Sequence, residues 1–117
     1  MLTVYAYDKC GTCKDALKWL DAHGISHQVK AIRETPPGKT ELKTALKLNG
    51  GDIRKLFNIS GMDYRALGMK EKLPAMSEDE AISLLSQNGN LVKRPLVIGN
   101  GIALIGFKPE LWKELLT

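Results

Sequence analysis

The only two cysteines of this 117-residue chain, Cys10 and Cys13, stand three positions apart where one secondary-structure pattern gives way to another. Leu2 to Tyr7 is short, β-branched and aromatic, the signature of a buried strand. From Cys13 onward Ala16, Leu17, Trp19 and Leu20 repeat at helical spacing, and Gly24 supplies a C-terminal stop. The pair therefore lies at a strand-to-helix junction. A disulfide across two intervening residues closes almost no loop of the unfolded chain, so stapling the fold is a poor explanation for it. Of all residues, 44% are hydrophobic and 26% charged, and the eleven glycines have no period. Disorder, a collagen-like chain and a disulfide scaffold are thereby excluded, and one globular domain is expected.

Beyond the junction, Ser26 to Ile32 reads as a second strand ended by Thr35-Pro36-Pro37-Gly38. Residues 39–88 read as helical. Leu42, Ala45, Leu46 and Leu48 form one stripe, a short piece covers Ile53 to Phe57, and Ser60-Gly61 marks a break. Ser77-Glu78-Asp79-Glu80 is a capping box that opens a helix running to Asn88-Gly89. Strand signals return at Leu96 to Ile98 and at Ile102 to Ile105, separated by Gly99-Asn100-Gly101 as in a hairpin. A last helix is expected over Pro109 to Leu116, with Leu111, Trp112, Leu115 and Leu116 as its apolar face. The order is strand, helix, strand, helices, hairpin, helix. It gives a single α/β domain with a core at 1–38 and 89–117 and a helical insertion at 39–88.

Charge is uneven along that order. Residues 1–38 carry five basic and four acidic side chains, residues 39–73 eight and four, and residues 74–117 four and five. The net +4 thus belongs to the middle third. Few aromatic residues are interleaved with it, so a solvated helix face is the expected reading and direct nucleic-acid binding is not expected. The opening residues lack a cationic signal-peptide start, and the apolar stretch Leu96 to Phe107 is far short of the roughly 20 residues that span a bilayer. A cytoplasmic, reducing location with no membrane contact is expected, and there a Cys-x-x-Cys is catalytic or metal-binding more often than structural.

With Cys10 as N-cap and Cys13 in the first turn, both sulfurs share one helix face. The unpaired N–H groups of Thr12 and Cys13 and the positive helix end favour a thiolate at Cys10, with Lys9 and Lys14 adding charge. Gly11 keeps the approach to the sulfur open. Zinc is the competing chemistry, because Cys10, Cys13, His23 and His27 spell C-x2-C-x9-H-x3-H. The gap is shorter than the roughly 12 residues of a finger, and Gly24 lies between the histidines, so no metal is expected. Lys93-Arg94-Pro95 precedes the hairpin, where Arg94 could hold a thiolate or an oxyanion.

Taken together, Cys10-Gly11-Thr12-Cys13, Pro36-Pro37, the helical block and Lys93-Arg94-Pro95-Leu96-Val97 resemble the glutaredoxin-type arsenate reductase and Spx regulator family over essentially the whole chain. The resemblance implies a thioredoxin-like fold, a four-stranded mixed sheet with an inserted helical subdomain, and a cis-proline at Pro95 facing the cysteine. The arsenate reductases have one cysteine and three arginines for the oxyanion. Here Cys13 stands where serine is expected, Arg94 keeps one arginine position, Lys108 replaces another and Asn58 occupies the third. The implied activity is thiol-disulfide oxidoreduction by a monomer with no bound cofactor, drawing electrons from glutathione, glutaredoxin or thioredoxin. Cys10 would attack, Cys13 resolve and Arg94 stabilise the anion, while Gly11, Thr12, Pro95, Asn58 and Lys108 form the binding surface. The Spx branch implies a different class, a redox-sensing regulator that binds the RNA polymerase α subunit. A member keeping the fold with little catalysis is the third reading.

Overall fold

Side chains that alternate along each strand decide this architecture, because both faces of the central sheet are covered. A computed structural model describes residues 1–117. Four strands, β1 (Leu2–Ala6), β2 (His27–Ala31), β3 (Leu96–Gly99) and β4 (Ile102–Ile105), form one sheet in the order β2-β1-β3-β4. β1 runs parallel to β2 and antiparallel to β3, which pairs antiparallel with β4. This is the four-stranded mixed sheet that the family resemblance implies.

Register assigns each residue to a face. Val4 lies opposite Val97, and Val97 opposite Leu104. Those three, with Leu2 and Ala6, pack against α1 (Gly11–Ala22) and α6 (Pro109–Leu116) through Cys13, Ala16, Leu20 and Trp112. Tyr5, Leu96 and Ala103 point the other way, into a cluster with α2 (Lys39–Leu48) and α5 (Glu78–Gln87) through Leu42, Ala45, Ile82 and Leu85. The same cluster takes in Tyr64 of α3 (Met62–Ala66) and Met69 of α4 (Met69–Lys72). The helical insertion therefore buries its apolar stripe directly on the sheet. At about 25 cal/mol per Å² of apolar area, each large side chain so buried stabilises the fold by roughly 1.5–3 kcal/mol.

Polar ties fix the two layers together. Glu41, in the first turn of α2, accepts from the Tyr5 hydroxyl at 3.0 Å and from the Gly38 backbone N–H at 2.7 Å. Asn49, at the C-terminal end of α2, donates to the carbonyls of Ala45 and, across in β4, Ala103. Ser77 and Glu80 make the reciprocal bonds of the capping box. Asn100 and Gly101 both have positive φ, 52° and 78°, so the hairpin turns in two residues with the twist that favours such turns.

Two details depart from expectation. Residues 39–88 are not purely helical: Phe57 bridges antiparallel to Val92, with Asn58 N–H donating to Leu91 and Lys93 N–H to Leu56 at 2.8 Å each. One isolated pair carries no period of its own, so the pattern hid it. In α6 the expected apolar face is only partly used. Trp112 is fully buried and Leu116 half-buried, but Leu111 and Leu115 are 39% and 47% exposed. No helix is long and apolar enough to cross a membrane.

Candidate active site

Helix α1 begins where it does because Cys10 caps it. Its backbone is extended (φ −94°, ψ 118°) and its sulfur accepts the Cys13 backbone N–H at 3.4 Å, while its own N–H donates to the Tyr7 carbonyl at 3.1 Å. Cys10 is half-buried and Cys13 only 1% exposed, and the two are free thiols. A Cβ on Gly11 would meet no protein atom within 4 Å, and Thr12 beside it is exposed.

From the other side of the sequence comes the segment before β3. The Arg94–Pro95 peptide is cis, Pro95 is buried, and its carbonyl accepts the Gly106 N–H at 2.9 Å. That turn brings half-buried Arg94 to the cysteines and sets its guanidinium 4.9 Å from the Tyr7 ring centroid. A second guanidinium, that of Arg33 just after β2, lies 5.1 Å from the same centroid and donates to the Tyr7 hydroxyl at 3.0 Å. Cation–π contact of this kind is worth about 0.5–1 kcal/mol at exposed sites and limits where Arg94 can swing.

The surroundings push the thiols apart. Burial opposes ionisation of Cys10, yet hydrogen bonds from the Cys13 backbone and thiol, together with the Arg94 guanidinium, outweigh it and hold Cys10 below the ordinary thiol range. Burial pushes Cys13 up to about 11. Hydrogen bonding from the Tyr7 backbone works against that rise, the Cys10 side chain and charge reinforce it, and Arg94 offsets it in part. Ionisation is thus favoured at Cys10 and opposed at Cys13, which stays protonated at neutral pH. Lys9 and Lys14 are exposed and are not among the groups that shift Cys10; the cation that acts is Arg94, held in place by packing.

The other sequence-selected residues have contacts of their own. Asn58 is half-buried, ties its N–H to Leu91, and rests its side-chain amide against Gly61. Lys108 is the N-terminal residue flanking α6 and lines a cavity with Arg54, Lys55 and Lys93; neither cysteine nor Arg94 lines that cavity. The histidines of the finger-like spacing are not gathered with the thiols. His23 bonds the Trp19 carbonyl and stacks on its ring, His27 bonds the Ile25 carbonyl, and no three His, Cys, Asp or Glu side chains are grouped to hold a metal. Tyr7 and Arg33 were missed by sequence reasoning. Tyr7 could have been noticed as an aromatic residue closing the first strand pattern three residues before Cys10, whereas nothing local marks Arg33.

Comparison with known proteins gives consistent matches. The ArsC family model matches residues 5–115. The protein YusI of Bacillus subtilis is 49% identical over 113 residues, 97% of this chain and 96% of YusI. The global transcriptional regulator Spx of Streptococcus mutans is 26% identical over 94% of this chain and 79% of its own length. An arsenate reductase of Neisseria meningitidis serogroup A is 27% identical over 90% of this chain and 89% of its own. Among solved structures, an ArsC family related protein from Bacteroides fragilis superposes with a TM-score of 0.91 at 43% identity, covering 97% of this chain and 96% of that one. The fold is thus the thioredoxin-like one expected, with its helical insertion.

Proposed function

This chain belongs to the ArsC family, and from that premise we propose that it is a cytoplasmic thiol-disulfide oxidoreductase resembling the glutaredoxin-coupled arsenate reductases. The opposite displacement of two neighbouring thiols, Cys10 down and Cys13 up, carries the reading, since it separates an attacking sulfur from a resolving one. The Cys10 thiolate attacks one sulfur of a substrate disulfide; the new S–S bond forms as the old one breaks, and the leaving thiolate takes a proton. Cys13 then loses its proton and attacks Cys10, which frees the second substrate thiol and leaves a Cys10–Cys13 disulfide. Two electrons from glutathione, glutaredoxin or thioredoxin restore the dithiol. Arg94 stabilises the anionic sulfur or an oxyanion, Gly11 and Thr12 leave the sulfur accessible, and Pro95 shapes the docking edge.

Disulfide reduction by the purified protein with a glutathione-glutaredoxin couple, and arsenate reduction in the same assay, test this. Cys10→Ser is expected to abolish turnover, and Cys13→Ser to accumulate the mixed disulfide on Cys10, visible by mass spectrometry. Turnover that survives Cys10→Ser would overturn the mechanism. Similarity to Spx, together with a cysteine at position 13, favours a second reading, a redox-sensing regulator that binds the RNA polymerase α subunit. Retention of that subunit by only one redox form of the protein supports it; no retention in either form rejects it.

A further inference from the structure

The geometry points to the cavity between the 3-10 turn Ile53–Leu56 and the start of α6 as a binding site for a small organic phosphate with an apolar or aromatic body. The cavity encloses about 400 Å³, within the range of small-molecule sites. Arg54, Lys55, Lys93 and Lys108 line it from three separated segments of the chain. None of the four pairs with a carboxylate; the ion pairs of the molecule are His27–Asp21 and Lys43–Asp79. The one carboxylate in the lining, Asp52, accepts the Arg54 backbone N–H at 3.1 Å as the cap of the turn.

A merely solvated basic face does not account for this. Two of the four cations, Lys93 and Lys108, come from outside the basic middle third, and folding is what brings them to Arg54 and Lys55 against mutual repulsion. Behind them the wall is apolar: Phe57 is 2% exposed and Trp112 fully buried, while Ile59 and Leu111 remain part-exposed at the same cavity. Trp112 also carries the molecule's one buried side-chain N–H without an acceptor, its indole Nε1. An inorganic anion would leave the apolar wall wet, and a hydrocarbon would leave four cations unpaired. A phosphate with an attached ring or chain satisfies both, because its oxygens take the guanidinium fork and the lysine point charges together. The site is independent of the chemistry proposed at Cys10, which does not line it.

Titration followed by backbone amide NMR shifts tests the site, with phenyl phosphate as probe and inorganic phosphate and phenol as its two halves. Phenyl phosphate is expected to shift residues 53–59 and 105–112 and to bind at least about tenfold more tightly than either half, with a loss of about tenfold or more in Lys93→Gln/Lys108→Gln. Both substituted residues are exposed, and an unchanged spectrum of the free variant verifies its fold. Arg54→Gln with Lys55→Gln provides the same comparison should the first pair fail to fold. Binding no tighter than that of inorganic phosphate, affinity unchanged in the variants, or shifts centred on Tyr7 to Cys13 would overturn the assignment.

Discussion

Cys10 owes its character to atoms on two chain segments, its own helix start and the distant Arg94, so its reactivity is a property that a single substitution far away in sequence should change. Arg94→Ala removes the cation and leaves the burial, so the Cys10 thiol moves up toward its ordinary value. The expected outcome is a slower alkylation by iodoacetamide at neutral pH, with the midpoint of the rate-against-pH curve displaced to higher pH; an unmoved midpoint would deny Arg94 this role. Tyr5 offers a stability counterpart. Burial, then its hydrogen bond to Glu41, raise its phenol from 10.0 to about 12. A raised folded-state value means that the contribution is complete below pH 10 and is lost as pH rises through about 12. Tyr5→Phe should therefore cost about 1–2 kcal/mol at neutral pH. Its urea-denaturation stability should also fall less steeply than that of the parent protein across the alkaline window.

Among the elements, the connections are under the tightest geometric demand. A Cβ at Gly89 would lie 1.7 Å from the Ile32 carbonyl oxygen, where the end of α5 crosses the exit of β2. Backbone on both sides must move to admit it, so Gly89→Ala should destabilise by about 3 kcal/mol or more, measured by chemical denaturation. Ser77→Ala is the mild contrast. It removes one bond of the capping box on an exposed helix start, and about 1 kcal/mol is expected. Ser77 was legible in the sequence because a cap is local, involving residues three apart. The demand on Gly89 was not, since its partner is 57 positions away by residue number. The bridge from Phe57 to Val92 escaped notice for the same reason.

On the scale of the whole molecule, the insertion and the sheet share one apolar cluster, and α1 with α6 close the opposite face. Oxidation of Cys10 and Cys13 joins two residues already within the first turn of α1 and shortens no long loop, so the thermal midpoint should shift little, by about 2 °C or less. A larger shift would mean that the bridge remodels the helix start. Periodicity, caps and turn residues determined the order of elements, the hairpin and the placement of the thiols at a helix start, because each depends on neighbours within a few residues. Similarity of motif added the sheet and the cis-proline. Only the tertiary structure decided which cation meets Cys10, that the Tyr7 ring packs against its guanidinium, and that Lys108 turns to a cavity with Arg54, Lys55 and Lys93. Electrostatic and packing energies depend on distance in space, and for these residues chain position gives no measure of that distance.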